Sequence, residues 1–336
     1  MNPKMTVADV AAFQGQTVQN IHRIIREKGI KTNKNAARVY FGHEGARAIF
    51  NFKFPENKII SIQIVKGGPG KTSLAKNLGI RSALYGARVL LIDLDQQGNL
   101  TNDLMPNAEE TPIMMDVLDD ESMKIQDAIV PIFPGLDLIP SRLENSALDN
   151  FLTINHHPLD RVLKDRLDPL RSSYDLILID CPPALSASVT AAAMASDLVI
   201  APVAPEKYCL DGLKMTYNEL QNAFKKFKRQ IPLRVVINKF DSRTVLSSEI
   251  MATLHKNTVF GPLLYKSFIR SAQEFANSTA KRESIFDGLR INSAQEDIDA
   301  LTREILDLNS QRPHAQKSEI SLGNLSAPAP SPEARM

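Results

Sequence analysis

The stretch Ile59-Ile60-Ser61-Ile62-Gln63-Ile64-Val65-Lys66-Gly67-Gly68-Pro69-Gly70-Lys71-Thr72-Ser73 decides how this chain is read. An apolar, β-branched run breaks into glycines and then a Lys-Thr pair, which is the order strand, phosphate loop, helix. Glycines let backbone N–H groups close around phosphate oxygens without a Cβ in the way, and the following helix offers its positive N-terminal end to the same anion. Lys71 is placed to reach the β- and γ-phosphates of a nucleotide. Thr72 is placed to offer its hydroxyl to Mg²⁺, which prefers oxygen ligands and keeps several waters. Gly67, Gly68, Pro69, Gly70 and Ser73 complete the expected nucleotide-binding loop. The general pattern G-x-x-x-x-G-K-[ST] fails at its first position, where this chain has Val65. Lys-Gly-Gly-x-Gly-Lys-Thr fits instead, and it carries a second lysine, Lys66.

Downstream, apolar β-rich runs alternate with helical stretches: Ile59 to Val65, Val89 to Ile92, Leu136 to Ile139, Leu176 to Ile179, Leu198 to Val203 and Leu233 to Ile237. Such alternation predicts an α/β fold, a mostly parallel doubly wound sheet with ligands at the carboxyl ends of its strands. The second run ends in Ile92-Asp93-Leu94-Asp95-Gln96-Gln97-Gly98-Asn99-Leu100-Thr101. That strand is expected beside the phosphate loop, with Asp95 orienting the water that attacks the γ-phosphate and Asp93 supporting the metal or the loop. Leu176-Ile177-Leu178-Ile179-Asp180-Cys181-Pro182-Pro183 has the form of a Walker B element, in which Asp180 holds Mg²⁺ through a water.

Composition sets the frame for these motifs. The 336 residues are 43% hydrophobic and 23% charged, enough for one large core and a small second one. A formal net charge of +2 points to no nucleic-acid partner by itself. Charge is uneven, however: up to Lys58 there are ten basic against four acidic side chains. The two cysteines, Cys181 and Cys209, lack ligand spacing, which argues against a disulfide scaffold or a Cys-bound metal and suits a reducing cytoplasm. No apolar run approaches a membrane span, so no membrane partner is expected.

At the start of the chain, Thr6 caps a predicted helix Val7 to Phe13, Gln14-Gly15-Gln16 supplies a turn, and Thr17 opens a second helix to about Lys28. Val7, Val10, Ala11, Val18, Ile21, Ile24 and Ile25 are expected to pack together, leaving Gln16, Gln19, Asn20, Arg23 and Arg26 to face a groove. A basic strip, the run Arg38-Val39-Tyr40-Phe41 and a helical piece His43 to Phe50 follow. This order resembles the winged helix-turn-helix domain of MerR-type regulators, and the resemblance implies DNA contacts from Gln19, Arg23 and Arg26.

Lys-Gly-Gly-x-Gly-Lys-Thr, then Leu-Ile-Asp-Leu-Asp-x-Gln-Gly-Asn-Leu-Thr, then Ile-Asp-x-Pro-Pro resembles the ParA family of DNA-partition ATPases, deviant Walker A proteins of the SIMIBI class. The likeness spans roughly residues 59–308. It implies ATP and Mg²⁺ as cofactors, Lys66 as the signature lysine that crosses a homodimer interface to the partner's nucleotide, Asp95 as the water-activating acid and Asp180 as the Walker B acid. It also implies Pro205 and Glu206 over the nucleotide, and Asn238 near the adenine, whose edge its amide has the donor and acceptor to read. Arg243 and Arg270, with Lys281 and Arg282 after them, match basic positions that bind duplex backbone non-specifically. The implied biology is a cytoplasmic, nucleoid-associated partition ATPase released from DNA by a ParB-like centromere-binding protein. A nucleotide-switched repressor binding operator DNA of its own operon through the N-terminal module is the second expectation. Gln96, where the family usually has proline, and Pro69, which lacks an N–H, are departures. The expected division is a winged domain at 1–57, the ATPase at 58–309 and a disordered tail at 310–336. Ile298, Leu301, Ile305 and Leu308 near the end of the ATPase form a stripe expected on the core.

Overall fold

The computed structural model describes residues 1–35, 38–54, 57–106, 110–288 and 290–312. The N-terminal module runs β1 (Met5–Thr6), α1 (Val7–Gln14), α2 (Val18–Glu27), β2 (Asn33–Asn35), β3 (Arg38–Phe41) and α3 (His43–Phe50). Its antiparallel sheet has the order β1-β3-β2. The helix starts follow from local chemistry. Thr6 Oγ1 accepts the Asp9 N–H at 3.2 Å while the Asp9 carboxylate accepts the Thr6 N–H at 2.8 Å, a capping box. Thr17 caps α2 by accepting the Asn20 N–H, without the reciprocal bond. Gly15, at φ +63°, ends α1 in the left-handed region. Val7, Val10, Ala11, Ile21 and Ile25 are buried as expected, but Val18 is 41% exposed, because it stands at the first position of α2.

The larger body continues β4 (Lys58–Ile62), α4 (Lys71–Leu84), β5 (Val89–Asp93), α5 (Asn99–Leu104), α6 (Met114–Asp119), β6 (Val130–Phe133), β7 (Leu136–Ile139), α7 (Leu148–Ile154), α8 (Lys164–Leu167), β8 (Leu176–Asp180), α9 (Ala187–Ala195), β9 (Leu198–Val203), α10 (Cys209–Phe227), β10 (Leu233–Ile237), α11 (Val245–Lys256), α12 (Gln273–Lys281) and α13 (Ser293–Ile305). Every expected apolar run is a parallel strand of one sheet, ordered β10-β9-β4-β8-β5-β7-β6. Only β6 is antiparallel. It was not read as a strand, since Pro131 breaks its pattern, and an edge strand tolerates proline because one side makes no ladder. β5 and β8 are buried along their whole length and β4 from Ile59 onward, as helices covering both faces require.

Two expectations need correcting. β5 does not adjoin the phosphate-loop strand: β8 lies between them, so the Walker B acid occupies the position next to the loop. Nor does the N-terminal module have a core of its own. Its buried residues join those of α4 and α13 in one hydrophobic cluster. Phe13, Phe50 and Phe52 pack their rings against Tyr85 of the larger body at centroid separations of 5.6, 5.1 and 5.9 Å. Arg47 donates to the Gly86 carbonyl at 2.7 Å and pairs with Asp175 at 2.9 Å. Only glycine fits at position 86, where φ is +92° and a Cβ would lie 2.6 Å from the Arg47 Cα. Some fifty residues bury too little surface to stand alone, so the module borrows its core. The α13 stripe Ile298, Leu301 and Ile305, continued by Leu308, is buried in the same cluster. Asn309–Gln311 forms a short 3₁₀ turn, and Gln311 accepts the Lys53 N–H; the expected disordered tail otherwise falls outside the described residues.

Candidate nucleotide site

The loop leaves β4 and enters α4 through two glycines in the left-handed region, Gly68 at φ +90° and Gly70 at φ +88°. A Cβ on Gly70 would meet Asn238 Nδ2 at 2.5 Å, so the third glycine of the motif is required by backbone angle and space together. Lys71 is the first residue of α4 and is buried; burial lowers its pKa, and Asp180 opposes that shift. Thr72 is half-buried on the same turn.

Asp180 closes β8 opposite Ile62, the last residue of β4, and is in register with Asp93 of β5. It is 1% exposed, and neither carboxylate oxygen has a hydrogen-bond partner of normal geometry. Burial and the neighbouring Asp93 carboxylate push its pKa well up, with the Thr72 hydroxyl and Lys71 pulling the other way. An orphaned buried carboxylate beside a Thr hydroxyl and a helix N-terminus is a donor set that fits a hard cation paired with an anion, such as magnesium and phosphate. Among the described residues no cluster of three His, Cys, Asp or Glu side chains exists to hold a metal by itself.

Of the two roles expected for Asp93, support of the metal or of the loop, the hydrogen bonds present serve the loop. Its carboxylate accepts the Asp95 N–H at 3.1 Å, the Thr101 N–H at 2.9 Å and the Thr101 hydroxyl at 2.8 Å. These bonds make Asp93 a support of the loop segment. Burial raises its pKa too, partly offset by those hydrogen bonds. Asp95 is buried; one oxygen accepts the Gln97 N–H at 3.0 Å, and its backbone carbonyl accepts the Ser141 hydroxyl at 2.7 Å. Ser141, at the exit of β7, was not foreseen, since a lone serine after an apolar run carries no signal. Gln96, the departure at the neighbouring position, is exposed.

Lys66 is paired within its own chain, at the rim of the site. Its Nζ lies 2.9 Å from the carboxylate of Glu206, on the loop between β9 and α10, and both side chains are substantially exposed. Pro205 is buried beside it. Asn238 follows β10 and donates to the Pro69 carbonyl at 2.7 Å, while its own oxygen accepts the Lys239 N–H at 2.9 Å. In this state its amide braces the phosphate loop and does not present an open adenine-reading edge. Lys239, in the left-handed region, adds a second brace to the Gly68 carbonyl at 2.6 Å.

The basic positions are dispersed. Gln19, Arg23 and Arg26 share the exposed face of α2, where Arg23 pairs with Glu27 at 2.9 Å. Arg243 is held by Asp241 through two contacts of 2.9 and 2.8 Å. Arg270 is wrapped by Asp297 at 2.7 Å and Glu296 at 3.1 Å, so the charge expected to meet DNA is largely neutralised within its own chain. Lys281 and Arg282 are exposed at the end of α12.

A family model described as an AAA domain, AAA_31, matches residues 57–233. The chain is 34% identical over 216 residues, 63% of its own length and 83% of the relative's, to the sporulation initiation inhibitor protein Soj of Bacillus subtilis (strain 168). The chain belongs to the ParA family of P-loop ATPases. It is likewise 32% identical over 216 residues, 63% of this chain and 80% of the relative, to the chromosome partitioning protein ParA of Caulobacter vibrioides (strain NA1000 / CB15N). The fold of this ParA family member is similar to that of a Cyanothece McdA–ATP complex, with a TM-score of 0.66 at 23% identity over 74% of this chain and 96% of that one. Among the described residues no helix is long and apolar enough to cross a membrane.

Proposed function

We propose that the chain is an ATP-dependent partition ATPase that dimerises on ATP, binds DNA non-specifically as the dimer and is released by hydrolysis that a ParB-like partner stimulates. One observation supports this most: Lys66 stands at the start of a complete phosphate loop with its ammonium on the exposed rim, paired with Glu206. A lysine so placed is available to the nucleotide of a second copy, where it stabilises charge developing on the transferred phosphoryl group. The name of the Caulobacter relative, chromosome partitioning protein ParA, supports the same reading.

ATP and Mg²⁺ are the cofactors of this reading. The loop from Gly67 to Ser73 with Lys71 would bind the phosphates, and Thr72 with Asp180 would hold the metal, which would supply charge neutralisation to the transferred phosphoryl group. Asp95 accepts a hydrogen bond from the attacking water and aligns it. Asp93, through the Asp95 and Thr101 N–H groups, keeps that carboxylate facing the site. Pro205 and Glu206 form the rim over the nucleotide. Lys281 and Arg282, and Arg243 and Arg270 once their acidic partners let go, make phosphate contacts in the dimer, which gives affinity without base choice. The setting is cytoplasmic and nucleoid-associated.

Turnover with ATP, Mg²⁺, DNA and the product of any small gene directly downstream tests the reading. Stimulation that Lys66→Ala abolishes while nucleotide binding persists is the expected result. Equal turnover in both proteins overturns the two-chain mechanism.

A second output has its own support in the exposed face of α2, with Gln19, Arg23 and Arg26 uncovered beside a two-stranded ribbon. It is a nucleotide-switched, site-specific repression of the protein's own operon. Footprinting on upstream DNA, with and without Arg23→Ala, tests it, and absence of any protected site leaves only the non-specific mode.

A further inference from the structure

Lys76 is almost completely buried and makes an ion pair that the phosphate-binding chemistry does not use. Its side chain is 2% exposed, and its Nζ lies 3.0 Å from Asp103 Oδ2, whose side chain is 16% exposed. Lysine is among the residues least often buried, and a buried ammonium must be paired. The position of each partner makes this pair informative. Lys76 is four residues after Thr72 on α4, so it lies on the same face one turn below the proposed metal hydroxyl. Asp103 is on α5, the short helix that continues directly from the Asp95 segment.

The segment from Asp93 to Thr101 is held at several points. Asp93 grips the Asp95 and Thr101 N–H groups. Ser141 holds the Asp95 carbonyl through its hydroxyl, and its N–H reaches Thr101 Oγ1 at 2.8 Å. Those anchors tie the segment to the sheet. The Lys76–Asp103 pair ties it to the helix that carries Lys71 and Thr72.

We propose that Lys76 and Asp103 are positioning residues for hydrolysis: their pair sets the height of Asp95, and hence of its water, over the γ-phosphate bound at the start of α4. This rests on the ATPase reading above. Neither residue touches nucleotide. In-line attack needs reacting atoms about 3–3.5 Å apart, and a displacement of about 1 Å costs on the order of a hundredfold in rate. Binding of the phosphates, which uses the loop and Lys71, does not need that register.

The test compares wild type with Lys76→Met, Asp103→Asn and Lys76→Arg. Three quantities are read on full-length protein: kcat for ATP, the Kd of a non-hydrolysable ATP analogue, and amide hydrogen exchange over residues 95–104. Lys76→Met and Asp103→Asn are expected to lower kcat by about tenfold or more, leave the analogue Kd within about threefold, and speed exchange in 95–104 while α4 stays protected. Lys76→Arg is expected to recover most of the rate. A kcat unchanged in folded Lys76→Met overturns the proposal, as does unchanged exchange. The double variant Lys76→Met/Asp103→Leu removes the buried charges together and so guards against simple instability; recovery of full kcat in it overturns the proposal. Wild-type protein that binds the analogue but turns over no ATP counts against the ATPase reading, and the exchange measurement still decides whether the tether exists.

Discussion

Lys66 Nζ and the Glu206 carboxylate of the same chain lie 2.9 Å apart, so the signature lysine is tethered within its own subunit. Both side chains are substantially exposed, at 36% and 61%, and such a pair contributes no more than about 0.2–1 kcal/mol. A phosphate in a desolvated interface easily outcompetes it. Glu206→Gln therefore releases Lys66 before dimerisation, and the dimer fraction at a fixed sub-saturating ATP concentration is expected to rise by up to about fivefold at low salt. Sedimentation velocity measures this. A fall in dimer fraction would instead assign Glu206 a direct nucleotide or interface contact.

The buried carboxyls Asp93 and Asp180, in register on adjacent strands, make nucleotide-free protein pH-sensitive. Both pKa values are raised by burial. The folded state then keeps a proton that the unfolded chain gives up above about pH 4, so stability falls as pH rises from there through the raised folded values. Tm without nucleotide is expected to decline from mildly acidic to neutral pH, and Asp180→Asn should flatten that decline while abolishing hydrolysis. Thermal scans across this range decide it, and identical slopes in the two proteins would contradict the coupling.

Asn238 and Gly70 are fitted to one another around the phosphate loop. Asn238→Ala leaves the Pro69 carbonyl without its 2.7 Å donor. Loss of such a brace is expected to cost ~1–2 kcal/mol and to weaken nucleotide binding by roughly tenfold. Gly70→Ala is expected to be worse, since φ is +88° and its Cβ would clash with Asn238. Calorimetric titration with an ATP analogue gives both numbers. An unaffected Kd in Asn238→Ala would mean that nucleotide itself orders the loop.

Arg270 must leave its acids before it can hold a DNA phosphate. Glu296, the more exposed partner at 59%, is the simpler one to remove. Glu296→Gln is expected to tighten non-specific DNA binding at low salt and steepen its salt dependence by about one phosphate contact. Binding measured across a salt series tests this, and an unchanged slope would place Arg270 outside the DNA contact. Arg270→Ala, by contrast, strips the 11% exposed Asp297 side chain of its guanidinium partner, leaving it only the backbone N–H of residue 270, and is expected to cost ~1–3 kcal/mol of stability.

The shared core predicts cooperative unfolding of module and ATPase. Phe13→Ala removes a ring that packs on Phe50, Phe52 and Tyr85, at an expected cost of ~3–5 kcal/mol. Calorimetry should show one transition that moves as a whole. Two separate transitions would show that the module folds on its own.

Much of this molecule is local information, and that part was legible in the sequence. Capping residues such as Thr6 and Thr17, the apolar runs that became parallel strands, and the glycine spacing from Gly67 to Gly70 act over a few residues, so pattern alone placed them. Lys66 was likewise marked by its position one step before the glycines. What depended on distant chain segments was not legible. β8 entered between β4 and β5 only when the sheet assembled. That put Asp180 next to the loop, while the partners of Asp93, the Thr101 N–H and hydroxyl, came from eight residues further on. Arg270 meets Asp297 across 27 residues, Asn238 meets Pro69 across 169, and Lys76 meets Asp103 across 27. Whether a charged or polar side chain is free or spent depends on which partners the fold brings within hydrogen-bond reach, and single-residue chemistry contains no such term. The aromatic junction of Phe13, Phe50, Phe52 and Tyr85 follows the same rule: apolar residues announce burial, but only tertiary packing decides against what.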